Sequence, residues 1–128
     1  MTAVLDASAA LALLRIEPGH DQVSQLLSGS VISAPNYSEV IQKLRQLGSA
    51  TAEEDTAVLT ALGSRVVPFD TTVAINAARL WSATRTAGLS LADRACLAVA
   101  AGLRDGVAVT ADRAWADLDV GVRVQLIR

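Results

Sequence analysis

The sequence holds a single cysteine, a single histidine, a single lysine and only four aromatic residues. Cys96 alone cannot close an internal disulfide, and with only His20 beside it cannot build a tetrahedral Cys/His zinc site. Long apolar runs are also missing. The longest, Ala9 to Leu14 and Cys96 to Leu103, fall far short of the roughly 18 residues that span a bilayer, and the first lacks the basic flank of a secretory signal. The expectation is a soluble, cytoplasmic protein without a membrane partner. Charge of one sign is scarce too: 11 basic side chains against 13 acidic ones leave a net charge of -2 and a pI of about 5.2. With only Tyr37, Phe69, Trp81 and Trp115 as aromatics, a nucleic-acid binder built on a broad basic face or base-stacking platforms is disfavoured. An enzyme that grips phosphates locally is not.

What is present describes a packed globule. At 128 residues, 52% hydrophobic and 19% charged, the chain can bury one sizeable core, read as a single domain over 1–128. Strand signals fall at Ala3–Leu5, Val31–Ala34 and Val107–Val109, with weaker ones at Arg65–Pro68 and Val122–Ile127. Between them run stretches with helical spacing. Val73, Ala77, Leu80, Trp81 and Thr84 share one face, and Leu91–Leu103 is apolar nearly all round. Pro18-Gly19, Gly29, Gly48, Gly63 and Gly88 punctuate the boundaries. Glu53, Glu54 and Asp55 suit the first turn of a helix, where the backbone dipole favours acids. This alternation predicts an α/β fold with a parallel sheet covered by helices on both faces.

Four acids are predicted at the carboxyl edge of that sheet, where open parallel sheets place ligands. Asp6 directly follows the first strand. Glu39 lies one turn into the helix leaving the second, Asp93 opens the helix that returns to the fourth, and Asp112 follows the fourth by two residues. Each also has a structural reading. Asn36 with Glu39 and Ser90 with Asp93 have capping-box spacing, Asp112 could cap a short helix through Trp115, and Asp6 could hold a turn. Carboxylates at about 4 Å repel by roughly 4 kcal/mol per pair at an effective dielectric of 20, whereas a cap contributes about 1 kcal/mol. If the four converge, a cation is the simplest remedy, and an all-oxygen set selects Mg²⁺ or Mn²⁺. Such an ion can acidify water and neutralise charge building on a phosphodiester. A nucleophile scheme built on His20 competes poorly, because His20 follows Gly19 in a predicted loop.

The blocks Val4-Leu5-Asp6-Ala7-Ser8-Ala9, Ala34-Pro35-Asn36-Tyr37-Ser38-Glu39-Val40, Leu89-Ser90-Leu91-Ala92-Asp93-Arg94-Ala95 and Val109-Thr110-Ala111-Asp112-Arg113-Ala114-Trp115 together resemble a PIN-domain ribonuclease of the VapC toxin type. The resemblance runs the whole chain. It implies an α/β/α sandwich whose parallel sheet has strand order 3-2-1-4-5, with the first strand central. It also sets Asp70 aside as a cap, since the third strand lies roughly 10 Å from the first. Asp6, Glu39, Asp93 and Asp112 would then form a catalytic quartet. By this resemblance Asp6 would be a principal ligand of Mg²⁺ (or Mn²⁺), Asp93 and Asp112 would bind directly or through water, and Glu39 would be a ligand or water-orienting base. Ser8 and Thr110 occupy positions of supporting hydroxyls, with turn bonding an equal alternative. The implied partners are an RNA substrate, such as tRNA or rRNA, and a VapB-type antitoxin that blocks the site, within a homodimer and a toxin-antitoxin hetero-oligomer.

Ten of the eleven basic residues are arginine, whose planar fork suits phosphate. Arg94 and Arg113 each follow a site acid and are candidates for substrate or acid-orienting contacts, with an exposed salt bridge as the alternative. Lys43, four residues after Glu39, reads as half of a helical ion pair. Receiver and haloacid-dehalogenase folds also place an aspartate after the first strand. The former wants a late lysine and the latter a second aspartate where Ser8 stands, so both fit poorly. The remaining alternative is a PIN fold kept as a catalytically inactive RNA-binding or scaffold module.

Overall fold

The computed structural model describes residues 1–128. Strands β1 (Thr2–Leu5), β2 (Val31–Ser33), β3 (Arg65–Val67), β4 (Gly106–Thr110) and β5 (Arg123–Leu126) form one sheet in the order β3-β2-β1-β4-β5. Every pairing is parallel. Val4 sits opposite both Val31 and Ala108. Successive side chains of a strand face opposite ways, so Ala3, Leu5, Ile32 and Val109 enter one apolar core while Val4, Val31 and Ala108 enter another. A parallel sheet buried on both faces needs such continuous apolar strands.

The first core is covered by α1 (Ala7–Arg15), α2 (His20–Leu26), α3 (Ala34–Gln46) and α4 (Ala52–Ala61). The second is covered by α5 (Thr71–Arg79) and α7 (Leu91–Ala101), with Trp115 of a 3-10 turn at Arg113–Asp117, and the one-turn α6 (Trp81–Thr84) follows α5. The expected α/β/α sandwich and strand order are therefore observed. Residues 95–100 of α7 are all buried, as its all-round apolarity predicts. At Gly106 a Cβ would stand 2.2 Å from the Ala100 carbonyl oxygen, so only glycine lets β4 start so close to the end of α7.

Three local expectations need correction. The second strand stops at Ser33, not Ala34, because the Ser33 hydroxyl accepts the Asn36 amide at 3.3 Å and Pro35 follows in the first turn of α3. Asn36 is thus a buried residue inside the helix rather than the cap of a box with Glu39, which leaves the Glu39 carboxylate uncommitted. The face from Val73 to Thr84 divides between α5 and α6, where the Leu80 amide bonds the Ala77 carbonyl. Trp81 is consequently 53% exposed, with the Arg85 guanidinium 5.2 Å from its ring centroid. His20 opens α2 rather than lying in a loop. Gly19 precedes it at φ 96°, where a Cβ would come within 2.5 Å of the Ile127 carbonyl oxygen. Asp70, by contrast, caps α5 as expected, accepting the Val73 amide at 3.0 Å.

Candidate active site

The winding of the chain reverses at β1, with β2 and β3 added on one side and β4 and β5 on the other. Ligand sites form at the carboxyl ends of strands flanking such a switch point. Asp6 stands there as the first residue past β1, only 3% exposed, its amide bonded to the Val109 carbonyl at 3.0 Å. Its Oδ1 accepts the Ala9 amide at 2.8 Å and the Ser8 hydroxyl at 2.7 Å. Its Oδ2 accepts the Thr110 hydroxyl at 2.5 Å. The hydroxyls also tie the next loop down: Ser8 Oγ accepts the Ala111 amide at 2.9 Å and Thr110 Oγ1 accepts the Asp112 amide at 3.0 Å.

No cation pairs with this carboxylate. Burial, the largest influence, pushes the Asp6 carboxyl up to about 6; the Thr110, Ala9 and Ser8 bonds oppose it and the charge of Asp93 adds to it. Glu39, half-buried on α3, has no hydrogen bond or ion pair, and its carboxyl is likewise held above its ordinary value by burial, then by the charges of Asp93 and Asp6. The Cys96 thiol beneath the rim is driven well up by burial and the same two aspartates. It contacts the Val4 carbonyl at 3.6 Å and is an inert core group.

Asp93 closes the capping box predicted for it. Its Oδ2 accepts the Ser90 amide at 2.9 Å while its own amide bonds Ser90 Oγ at 3.1 Å. Asp112 is exposed and caps the 3-10 turn, Oδ1 accepting the Ala114 amide at 3.0 Å. The charge of Asp93 thus acts on both Asp6 and Glu39, whereas the exposed Asp112 carboxylate is turned to its own cap and only its backbone amide reaches this network, through the Thr110 hydroxyl. As the side chains stand, no three acidic, histidine or cysteine groups lie close enough to hold a metal ion together. The donor set suits a hard cation by ligand chemistry alone, since the acids offer only oxygen, and the charge of Asp93 already raises the proton affinity of Asp6 and Glu39.

Arg94 departs from its expected role. One end of its guanidinium donates to the Ala77 carbonyl at 3.4 Å and its buried Nε has no partner. It braces α7 against the last turn of α5, where a cation complements the helix dipole. Arg113 is exposed beside Asp112 and unpaired. A polar stripe on α3, Gln42, Lys43 and Gln46, shares a cleft with Glu39 and Ser8. Sequence reasoning missed it as a functional feature, although i, i+3, i+4 and i+7 spacing from Glu39 could have marked it.

The fold is a three-layer α/β sandwich with a buried carboxylate, Asp6, at its switch point. A PIN domain model matches residues 3–121, and the chain belongs to the PIN domain family. PIN domains are generally nucleases and typically use divalent metal ions. Among solved structures, DNA-bound VapBC from Salmonella typhimurium is similar at 21% identity and a TM-score of 0.72, covering 100% of this chain and 99% of that one. A toxin-antitoxin complex from Klebsiella pneumoniae is similar at 16% identity and 0.74, covering 98% of each. FitAcB from Neisseria gonorrhoeae is similar at 21% and 0.68, covering 98% and 97%. At these identities the likeness is one of fold. No curated protein matches the sequence. No helix is long and apolar enough to cross a membrane.

Proposed function

We propose that this protein is a metal-dependent endoribonuclease of the VapC toxin type, cutting cellular RNA such as tRNA or rRNA and held in check by a small VapB-type antitoxin. The observation that carries the reading is Asp6, a carboxylate buried at the switch point whose hydrogen-bond partners are all neutral donors and which has no cation of the protein beside it. Asp6, Asp93 and Asp112 would hold Mg²⁺ or Mn²⁺, with Glu39 as a further ligand or as the base. When bound, such an ion neutralises charge on the phosphate and acidifies a water. Asp6, gripped by Ser8, Thr110 and the Ala9 amide, supplies a fixed oxygen. Glu39 is free to turn, and its raised proton affinity suits it to take a proton from the attacking water. Arg113, exposed and unpaired, is placed to meet a phosphate from solvent.

The test is scission of a labelled RNA. The wild type should cut with Mg²⁺ and not with EDTA, while Asp6→Asn should lower kcat/KM by about 10³-fold, on the scale of losing a preorganised electrostatic group. Equal cleavage by Asp6→Asn would sink the mechanism.

A protein partner is supported by an apolar cleft of about 370 Å³ lined by Leu13, Leu14, Ile16, Leu44, Val58 and Leu62, with Ile16 74% exposed. Patches of this kind mark interaction surfaces. The antitoxin and the toxin-toxin dimer are both candidates to cover it. A small reading frame beside this gene, encoding a DNA-binding protein that co-purifies with the chain, is the expected finding.

A second reading, an inactive RNA-binding or scaffold module, is favoured by one observation: Asp93 and Asp112 both spend carboxylate oxygens on helix caps. Titration calorimetry with Mg²⁺ separates the two. Heat of binding that disappears in Asp6→Asn supports the nuclease, and no heat even with RNA present supports the scaffold.

A further inference from the structure

We infer that the polar cleft between α1 and α3 seats the RNA strand adjoining the cut, with Lys43 holding a backbone phosphate and Gln42 and Gln46 facing the neighbouring sugar and base. The inference takes its substrate class from the nuclease reading. Its own support is separate from the acids' chemistry.

The cleft encloses about 340 Å³, near the lower end of the ~300–1,000 Å³ usual for ligand pockets. Ser8 and Glu39 form one wall segment, so it opens directly onto the acidic rim. Gln42, Lys43 and Gln46 continue it along α3, while Ala7 and Leu11 are its only apolar lining. Glu39, Gln42, Lys43 and Gln46 lie on one helix face, opposite the buried Val40 and Leu44. A rise of about 1.5 Å per residue puts Lys43 roughly 6 Å along the axis from Glu39. A strand whose scissile phosphate meets the acids would therefore bring its next phosphate toward the ammonium.

The lack of an ion-pair partner for Lys43 supports this placement. The ion pair expected from its spacing to Glu39 does not form, and Lys43 has no other acidic partner. It is the single lysine of the chain and the single cation of the cleft. A lone ammonium in a groove of two amides and a hydroxyl, with the Glu39 carboxylate at the end that meets the acidic rim, matches a phosphate flanked by sugar and base edges. A peptide would find no apolar anchor pocket there, whereas the cleft at Leu13 and Leu62 offers one.

The test is fluorescence anisotropy of a fluorescein-labelled single-stranded oligoribonucleotide of about 12 nucleotides, within the site sizes of single-strand binders, in EDTA. Lys43→Gln should weaken binding about fivefold near 50 mM salt and lower the slope of log K against log salt by about 0.7. Gln42→Ala and Gln46→Ala should weaken binding at every salt concentration with the slope unchanged. Arg123→Gln, which removes the same charge from the opposite edge of the sheet where it pairs with Asp105 at 2.9 Å, should change neither quantity. In cleavage assays Lys43→Gln should raise KM with kcat nearly constant.

Identical affinity and slope for Lys43→Gln and wild type would overturn the subsite, as would absence of RNA binding by the wild type. Unchanged RNA binding with lost association to a co-purifying protein would overturn it in favour of a peptide occupant. Lys43-dependent binding alongside full cleavage by Asp6→Asn would leave the subsite standing and remove the acidic mechanism instead.

Discussion

Asp6 and Glu39 are both acids at one rim, yet they are held in opposite ways. Asp6 ends a central strand, is buried, and accepts three hydrogen bonds from Ala9, Ser8 and Thr110. Glu39 rides on a helix, is half-buried, and accepts none. A strand end in the middle of a sheet fixes its side chain because the helix that follows and the neighbouring strand β4 both supply donors. A helix face leaves its side chain to solvent and rotamer freedom. The contrast separates a rigid oxygen that defines a site from an adjustable one that can move with a reacting water, and it suggests that substitutions at the two positions should fail differently.

The largest difference should appear in stability without metal. The Asp6 carboxyl lies at about 6 in the folded protein against an ordinary 3.8, so the native state binds the proton more tightly than the unfolded chain. Its burial penalty is therefore complete above pH 6, shrinks as pH falls through 6, and vanishes below 3.8. In EDTA, this group alone should make the fold more stable at pH 4 than at pH 7, by on the order of 3 kcal/mol. Asp6→Asn, neutral at both pH values and able to keep the Ala9 and Ser8 bonds, should remove that dependence. At pH 7 it should raise the melting temperature by on the order of 10 °C. Thermal scans of both proteins in EDTA at the two pH values check this. A variant less stable than wild type at pH 7 would mean that the hydrogen bonds, not the charge, dominate Asp6.

Glu39→Gln should behave in the opposite manner. With no bond to lose, it should leave the melting temperature within a few degrees while lowering kcat about 10²-fold, the scale of losing a positioned base. The comparison sharpens if the kcat profile of the wild type rises through a group titrating above the ordinary glutamate range and the variant lacks that limb. A Glu39→Gln protein that cuts normally would assign Glu39 to charge alone.

How legible this was in the sequence follows the same division. Asp6 and the caps at Asp70, Ser90–Asp93 and Asp112 were readable, because strand ends and caps are local and turn on residue type and spacing, whereas the strand order followed only from the family resemblance. The box predicted for Asn36 and Glu39 misplaced the helix start by three residues. Ser33, the last residue of a strand, outcompetes Asn36 once Pro35 occupies the first turn, and the buried Asn36 is bonded instead by the Ser33 hydroxyl. Arg94 and Trp81 were misjudged because their environments depend on how α5 and α6 break at Leu80, a tertiary outcome that periodicity does not carry. The Lys43 cleft needs the packing of α1 beside α3, which no local pattern announces.

Thr110 tests whether the rigidity of Asp6 matters beyond its charge. Its hydroxyl is both donor to Asp6 and acceptor from the Asp112 amide, so it couples the strand-end acid to the loop carrying the exposed one. Thr110→Val keeps the shape but strands the Asp112 amide and removes a bond that holds the Asp6 carboxyl down. Leaving a partly buried donor unsatisfied costs about 1 to 2 kcal/mol, and cleavage should fall about tenfold as Asp6 and Asp112 lose their common anchor. Loss of packing alone would produce the stability change too, so the informative readout is the pH dependence. In EDTA the acid-side gain in stability should begin at a higher pH in Thr110→Val than in wild type, and Thr110→Ser should restore both the onset and the cleavage rate. An onset that does not move would show that the hydroxyl serves the loop and not the carboxylate.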